Sequence, residues 1–232
     1  MNKWGAVVVA AGRGSRMGTA ESKQYLPLRG KPILVHTLAL FERMDEIEEV
    51  ALVVGSADIE RCKALVLEHG LAKVKAVVAG GDERQHSVHA GVKALASELE
   101  WVMVHDGVRP LVKPEHIRGC CAVAERVGAA VLAVPVKDTI KQADETGLIV
   151  STPDRRSLWA IQTPQAFRRD LLTGAHERAE KDGFLGTDDA MVVERTGAPV
   201  TISEGDYTNI KITTPEDLPW AEFLLGKRER GE

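Results

Sequence analysis

The sequence predicts an α/β fold, a doubly wound and mostly parallel sheet with one protruding β-arm. Three observations carry this reading. Short apolar runs recur along the chain, as expected of parallel strands buried on both faces. Longer segments with helical spacing lie between them. The alternation breaks after Val134, where two β-type arms flank Glu145-Thr146-Gly147.

The predicted strands are Gly5–Ala10, Val50–Val54, Val74–Ala79, Trp101–His105 and Ala129–Val134. Between them, Ile33, Leu34, Thr37, Leu38 and Phe41 form one helical stripe. Ile59, Cys62, Lys63, Val66 and Leu67 form a second, Val88, Val92 and Leu95 a third, and Ile117, Cys120, Cys121 and Ala124 a fourth. This βαβ alternation argues for a doubly wound sheet. Residues from Pro135 to Pro153 read as a hairpin. Helices follow at Leu171–Lys181 and Asp188–Arg195, with Thr187 or Asp188 as a cap, and a strand at Pro199–Ser203. Thr214 is the expected N-cap of a last helix, with Pro215 in its first turn. Neither a repeat nor a low-complexity linker divides residues 1–232, so one domain with an arm at about 135–160 is expected.

The 232 residues suffice for one domain with a large core. The apolar fraction of 44% and charged fraction of 28% are those of a globular chain. A net charge of −4 gives no sign of a nucleic-acid surface. No run of about 18 apolar residues and no leader pattern is visible, so a cytoplasmic protein without membrane contact is expected. Cys62, Cys120 and Cys121 suit neither a disulfide framework nor a zinc site; the adjacent pair is read as core packing.

The chemistry begins after the first strand, at Ala10-Ala11-Gly12-Arg13-Gly14-Ser15-Arg16-Met17-Gly18, with Lys23-Gln24-Tyr25-Leu26-Pro27 beyond. A glycine-rich turn at the end of a strand receives phosphates. A dinucleotide site would also need an acid or a selecting arginine after the second strand, which ends Val54-Gly55-Ser56-Ala57. Arg13, Arg16 and Lys23 instead suit a triphosphate under attack, whose oxygens gain charge; the plainer reading is solvated loop charges.

The loop and the Lys-Gln-Tyr-Leu-Pro block together resemble the sugar-nucleotide type of nucleotidyltransferase, in particular the 2-C-methyl-D-erythritol 4-phosphate cytidylyltransferase family of the non-mevalonate isoprenoid pathway. The resemblance runs from residue 5 to about 224 and implies a Rossmann-like nucleotidyltransferase that joins CTP to methylerythritol phosphate and releases pyrophosphate. Ala10, Ala11, Gly12, Arg13 and Gly14 would then hold the nucleotide, and Arg16 and Lys23 would act in catalysis.

Gly80-Gly81-Asp82-Glu83-Arg84-Gln85-His86-Ser87-Val88 opens a helix. It is either a turn capped by Asp82 or a ligand cradle of Gly81, Asp82, Arg84 and Ser87. The resemblance favours the cradle, for cytosine and ribose. His105-Asp106-Gly107-Val108-Arg109-Pro110 ends the fourth strand, on the edge where open α/β sheets bind ligands. Asp106 is a hard oxygen ligand for Mg²⁺ beside a triphosphate, or else a structural partner of Arg109; His105 is read as structural. Gly107-Val108 departs from the family's usual Ala-Ala.

The resemblance further implies that the arm crosses to a second subunit and carries Arg155 to the partner's acceptor phosphate. A lone hairpin is marginal, so a homodimer is physically reasonable. Thr139, Thr163 and Thr187 match residues near the acceptor, with Arg109, and Lys211 is a further phosphate cation. Thr208 stands where the family usually has Asp. The implied reaction is a direct in-line attack on the α-phosphorus, consistent with the lack of an evident Ser-His-Asp or Cys-His set. A cytidylyltransferase for ribitol 5-phosphate, a dinucleotide-dependent oxidoreductase and a non-catalytic nucleotide sensor are the alternatives.

Overall fold

A computed structural model describes residues 2–12 and 21–231. Arg13, Gly14 and Arg16, singled out above, lie outside the described residues.

The chain opens with β1 (Trp4–Ala10), a short hairpin of β2 (Pro27–Leu28) and β3 (Lys31–Pro32), and α1 (Ile33–Glu42). It continues through β4 (Ile47–Val54), α2 (Ile59–Glu68), β5 (Val74–Ala79), α3 (Arg84–Ala94), β6 (Trp101–Asp106), α4 (Pro114–Val127) and β7 (Ala129–Pro135). The arm is β8 (Gln142–Ala143) and β9 (Ile149–Ser151). Then come β10 (Trp159–Arg168), α5 (Arg169–Lys181), α6 (Asp189–Glu194), β11 (Thr201–Glu204) and α7 (Asp217–Glu229).

The main sheet has seven strands in the order β11-β7-β10-β6-β1-β4-β5. All neighbouring pairs are parallel except those of β10, which runs antiparallel to both β6 and β7. Helices cover both faces. Leu34, Leu38, Cys62, Ile117 and Cys120 pack on one side, and Val88, Val92, Leu172, Ala175 and Val192 on the other. A third apolar cluster joins Leu28 and Ile33 to Ala221 and Leu225, so α1 is buried almost all round. The doubly wound sheet and its arm are as expected, and Cys120 and Cys121 are core residues.

Three local expectations change. Gln162-Thr163-Pro164-Gln165, for which the sequence predicts no strand, belongs to β10, a strand wedged into the middle of the sheet. Pro164 has no N–H to give a ladder, and pairing with β7 skips there from Ile161 to Gln165. On α2 the inward residues are Ile59, Cys62, Leu65 and Val66, while Lys63 is exposed and Leu67 is 84% exposed. Thr214 does not cap the last helix, which starts at Asp217; the Asp217 carboxylate instead accepts from the N–H groups of Thr213 (2.7 Å) and Thr214 (2.9 Å). Pro215 thus precedes the helix.

The arm lies outside this core. Asp144 organises its tip, its Oδ1 accepting from the N–H groups of Thr146 (2.9 Å) and Leu148 (3.1 Å). Ile140, Leu148, Ile149 and Val150 stand exposed along it.

The seat of α3 decides the shape of the site, because this helix opens at the sheet's carboxyl edge. Gly91 lets α3 lie directly on the strands: a Cβ there would overlap Val7 Cγ1 and come within 2.8 Å of Val53 Cγ2. Alanine would gain about 1 kcal/mol in helix propensity, but overpacking costs about 1–3 kcal/mol. Gly91→Ala is therefore expected to lower the urea unfolding midpoint by the equivalent of up to about 2 kcal/mol. A raised midpoint would show that propensity outweighs this contact.

Candidate active site

The carboxyl ends of β1 and β6 and the turn after β5 converge on one cleft of about 200 Å³. Its walls are Val9, Ala10, Ala11 and Gly12 from the end of β1, and Gly81, Asp82, Glu83, Arg84 and Ser87 from the β5–α3 turn. Lys23, Gln24, Asp106, Val108 and Lys211 complete it. Two walls meet at Gly80, where a Cβ would lie 2.6 Å from both Ala11 Cβ and Ser87 Oγ. Only a glycine lets the backbones approach so closely.

Lys23 stands on a short 3₁₀ turn, Lys23–Tyr25. The next residue ties that turn to the sheet: Gln24 is buried and its Nε2 donates to Ala10 O at 2.9 Å. Tyr25 is buried, with its hydroxyl 3.2 Å from Cys62 Sγ and the Arg61 guanidinium 3.9 Å above its ring.

Asp106 is the electrostatic centre. Lys211 Nζ lies 2.9 Å from its Oδ2, Arg109 Nε 3.4 Å from the same oxygen, and Arg84 Nε 3.6 Å from Oδ1. Burial opposes its ionisation, but the three cations, Lys211 foremost, outweigh burial and hold the carboxyl well below the usual range. Asp106 is therefore an anion, and Oδ1 is its less engaged oxygen. Among the described residues no group of three His, Cys, Asp or Glu side chains is placed to hold a metal. One hard carboxylate at the edge of a cleft matches a cation such as Mg²⁺ that takes its other ligands from phosphates and water.

Beneath Asp106 lies a buried polar floor. Asp106 N–H donates to Thr163 Oγ1 (3.0 Å), and the Thr163 hydroxyl in turn lies 3.0 Å from His105 Nδ1. His105 Nε2 faces Arg109 O at 3.1 Å. Arg109 O can only accept, so the neutral imidazole is protonated on Nε2 and donates to it, and the Thr163 hydroxyl gives its hydrogen to Nδ1. Asn209 closes the floor, its Nδ2 donating to Gln162 Oε1 (3.1 Å) and Thr163 O (2.9 Å), while Arg109 Nη1 donates to Asn209 O (2.7 Å).

The fold thus gathers Ala10, Ala11, Gly12, Lys23, Gly81, Asp82, Arg84, Ser87, Asp106 and Lys211 around one space, with Arg109 bound to Asp106. Thr163 lies under this space with its hydroxyl already engaged. Thr187 is exposed, its hydroxyl 3.6 Å from Met191 Sδ. Thr139 and Arg155 sit at the exposed base of the arm, where Arg155 donates to Lys137 O. Asp82 makes no cap: α3 starts after Glu83. Asp188 is the cap of α6, accepting from Met191 N–H at 2.9 Å. Sequence reasoning missed the supports Gln162, Gln165, Asn209 and Asp189. All are buried polar residues, a class that apolar periodicity does not reveal.

A family model described as 2-C-methyl-D-erythritol 4-phosphate cytidylyltransferase matches residues 5–227. The chain is 53% identical to the protein of that name from Geobacillus kaustophilus over 224 residues, 96% of this chain and 97% of the relative. It is 49% identical to its namesake from Alkaliphilus metalliredigens, over 97% of this chain and 94% of the relative. Among solved structures, 4-diphosphocytidyl-2C-methyl-D-erythritol synthase from Anaerococcus prevotii aligns with a TM-score of 0.83 at 32% identity, covering 97% of this chain and 96% of the other. The cytidylyltransferase of Thermus thermophilus aligns with a TM-score of 0.78 at 32% identity, covering 95% and 98%.

The floor makes a prediction about pH. Burial pushes the His105 imidazole from its ordinary 6.5 down to about 4. The unfolded chain binds that proton first, so stability falls as pH drops from 6.5 towards 4, by about 3 kcal/mol from this residue. His36 and His89 are also lowered by burial and add to the slope. Urea unfolding between pH 4 and 7 is expected to show a shallower slope for His105→Gln than for the wild type. Equal slopes would mean that His105 does not enter the fold neutral.

Proposed function

Because the chain belongs to the 2-C-methyl-D-erythritol 4-phosphate cytidylyltransferase family, and so is a nucleotidyltransferase that makes 4-diphosphocytidyl-2C-methyl-D-erythritol from CTP and methylerythritol phosphate, we propose that the cleft around Asp106 is where this transfer occurs. One observation carries the assignment: Lys23, Arg84 and Lys211 come from three distant parts of the chain and line one cleft with Asp106. A triphosphate is the ligand that such a gathering of cations suits.

In this reading CTP lies along the end of β1, with its base and ribose at Gly81, Asp82, Arg84 and Ser87. Arg13 and Gly14 would extend the phosphate cradle. An oxygen of the acceptor's phosphate attacks the α-phosphorus in line with the bond to the β-phosphate. The new P–O bond forms as that bond breaks, and pyrophosphate carries away the electron pair. A phosphate monoester is ionised near neutral pH, so the attack needs no general base. Lys23 and Arg16 would offset the charge that grows on the phosphate oxygens. Asp106 would hold Mg²⁺, which supplies charge neutralisation across the phosphates when bound. Lys211, Arg109, Thr139 and Thr187 would receive the acceptor, with Thr163 acting from below.

Arg155 stands apart on the arm. We assign it to the partner's acceptor phosphate in a homodimer, which the apolar surface of Ile140, Leu148, Ile149 and Val150 supports. No helix among the described residues is long and apolar enough to cross a membrane, and we place the enzyme in the cytoplasm with no nucleic-acid partner.

The purified protein with CTP and Mg²⁺ is expected to release pyrophosphate with methylerythritol phosphate and not with ribitol 5-phosphate. Release with ribitol 5-phosphate alone would reassign the acceptor, and CTP binding without release with any acceptor would make the chain a sensor. The arm has its own test. Lys23→Ala and Arg155→Ala should each be nearly inactive as homodimers. After subunit exchange in equal amounts, half the dimers are mixed and each holds one intact site, so roughly a quarter of wild-type activity should return. No recovery despite exchange would place Arg155 in its own subunit's site.

A further inference from the structure

Arg84 is gripped from behind. Its Nη1 donates to Asp189 Oδ2 at 2.8 Å, while its Nε faces Asp106 Oδ1 at 3.6 Å. One guanidinium thus spans two carboxylates, one in the cleft and one outside it. Asp189 is only 1% exposed and is itself fixed on its own side. Its N–H, and that of Ala190, donate to Gln165 Oε1 at 3.1 Å, and Gln165 Nε2 donates to Asp188 Oδ2 at 2.9 Å. Gln165 belongs to β10, so the start of α6 is tied to the centre of the sheet.

The other oxygen of Asp189 is also informative. Oδ1 is buried with no hydrogen-bond partner, and His176 Nε2, equally buried and unpartnered, lies 3.5 Å away. The His176 ring stacks on His89, their centroids 5.5 Å apart. Asp189 is thus buried beside this histidine pair, with Arg84 as its close charged contact. Burial opposes ionisation of Asp189, but Arg84 holds its carboxyl below the usual range. A buried carboxylate with a single strong hydrogen bond and a fixed backbone is a rigid anchor for whatever donates to it.

We infer that Asp189 is a positioning residue for the nucleotide site: it holds Arg84 by one arm of the guanidinium fork so that the other arm is aimed at the cleft. Its direct consequence is for CTP binding. When Asp189 loses its charge, Asp106 is left as the strong partner of Arg84. The guanidinium then closes onto Asp106, and CTP must break that pair to enter. Arginine is needed for this because lysine, a point donor, cannot serve two carboxylates with fixed geometry.

This inference rests on the assignment of the cleft to CTP, and the test separates the two. CTP binding to the full-length protein is measured by calorimetry without acceptor, and kcat and KM by pyrophosphate release. Wild-type protein that binds no CTP would overturn the assignment of the cleft itself. Given wild-type binding, Asp189→Asn is expected to raise Kd and KM for CTP about tenfold, the scale of one charged hydrogen bond, with kcat changed less than about threefold. In an Arg84→Ala background the same substitution should change Kd by less than about twofold, because its effect acts through Arg84. A general structural role would instead add its loss in both backgrounds, and that result, or unchanged Kd in Asp189→Asn, would overturn the inference. Arg84→Lys tests it without touching the buried anchor: it should lose about tenfold in CTP affinity. Wild-type affinity in Arg84→Lys would show that charge alone, and not the aimed fork, is what the site uses.

Discussion

A single carboxylate holds the site open for business with anions. Asp106 draws Lys211, Arg84 and Arg109 to within 3.6 Å, and these side chains come from three separate segments. Left to themselves they would repel one another and turn to water. Asp106 gives them a common partner, and its own backbone N–H is held from beneath by Thr163. Counting Asp189, three cations face two carboxylates in this cluster, within a chain whose formal net charge is −4, while Lys23, Asp82 and Glu83 stand elsewhere on the cleft walls. Local charge, not net charge, decides what enters such a pocket.

The parallel half of the sheet was legible because its inner strands are buried on both faces and therefore read as unbroken apolar runs. Val74–Ala79 has the same bounds in the sequence reading and in the structure. β10 was not legible. It carries Gln162, Thr163 and Gln165 inward, all buried polar groups, and a proline in mid-strand. Each of these features argues locally for a turn, and only the hydrogen-bonding needs of the strands and helices around them make a strand of the segment. The last helix teaches the same point on a smaller scale. Thr214 has the chemistry of a cap, but Asp217 reaches back to take the N–H groups that Thr214 and Thr213 would otherwise leave unpaired.

The site divides along the same line. Glycine, arginine and lysine near strand ends announce themselves, since solvent-facing loops have little other use for such a pattern. Gly81 and Arg84 stand out in this way, Asp106 as an acid at a strand end and Lys211 through the family resemblance, and all four line one cleft. The groups that aim them were silent. Asn209 sits within a block noticed for Lys211, and Asp189 within one noticed for Thr187, yet each acts through contacts more than 40 residues away in sequence. Long-range polar pairs leave no periodic trace.

The arm departs from the sheet and returns to it at one place. Trp159 pairs with Pro135, and Val136 N–H donates to Leu158 O at 3.0 Å, so both ends of the excursion are clamped together at the sheet. The tip is held by its own Asp144 turn and by the two-stranded ladder of β8 and β9. The tip beyond Lys141 and Thr152 can therefore be lengthened, shortened or given a different surface at small entropic cost, with Thr139 and Arg155 kept at the base of the arm and Thr163 and Gln165 left in place on β10. The architecture separates two evolutionary rates in one continuous stretch of chain: a floor and an arm base that tolerate little change, and a projecting tip free to drift with whatever surface it meets.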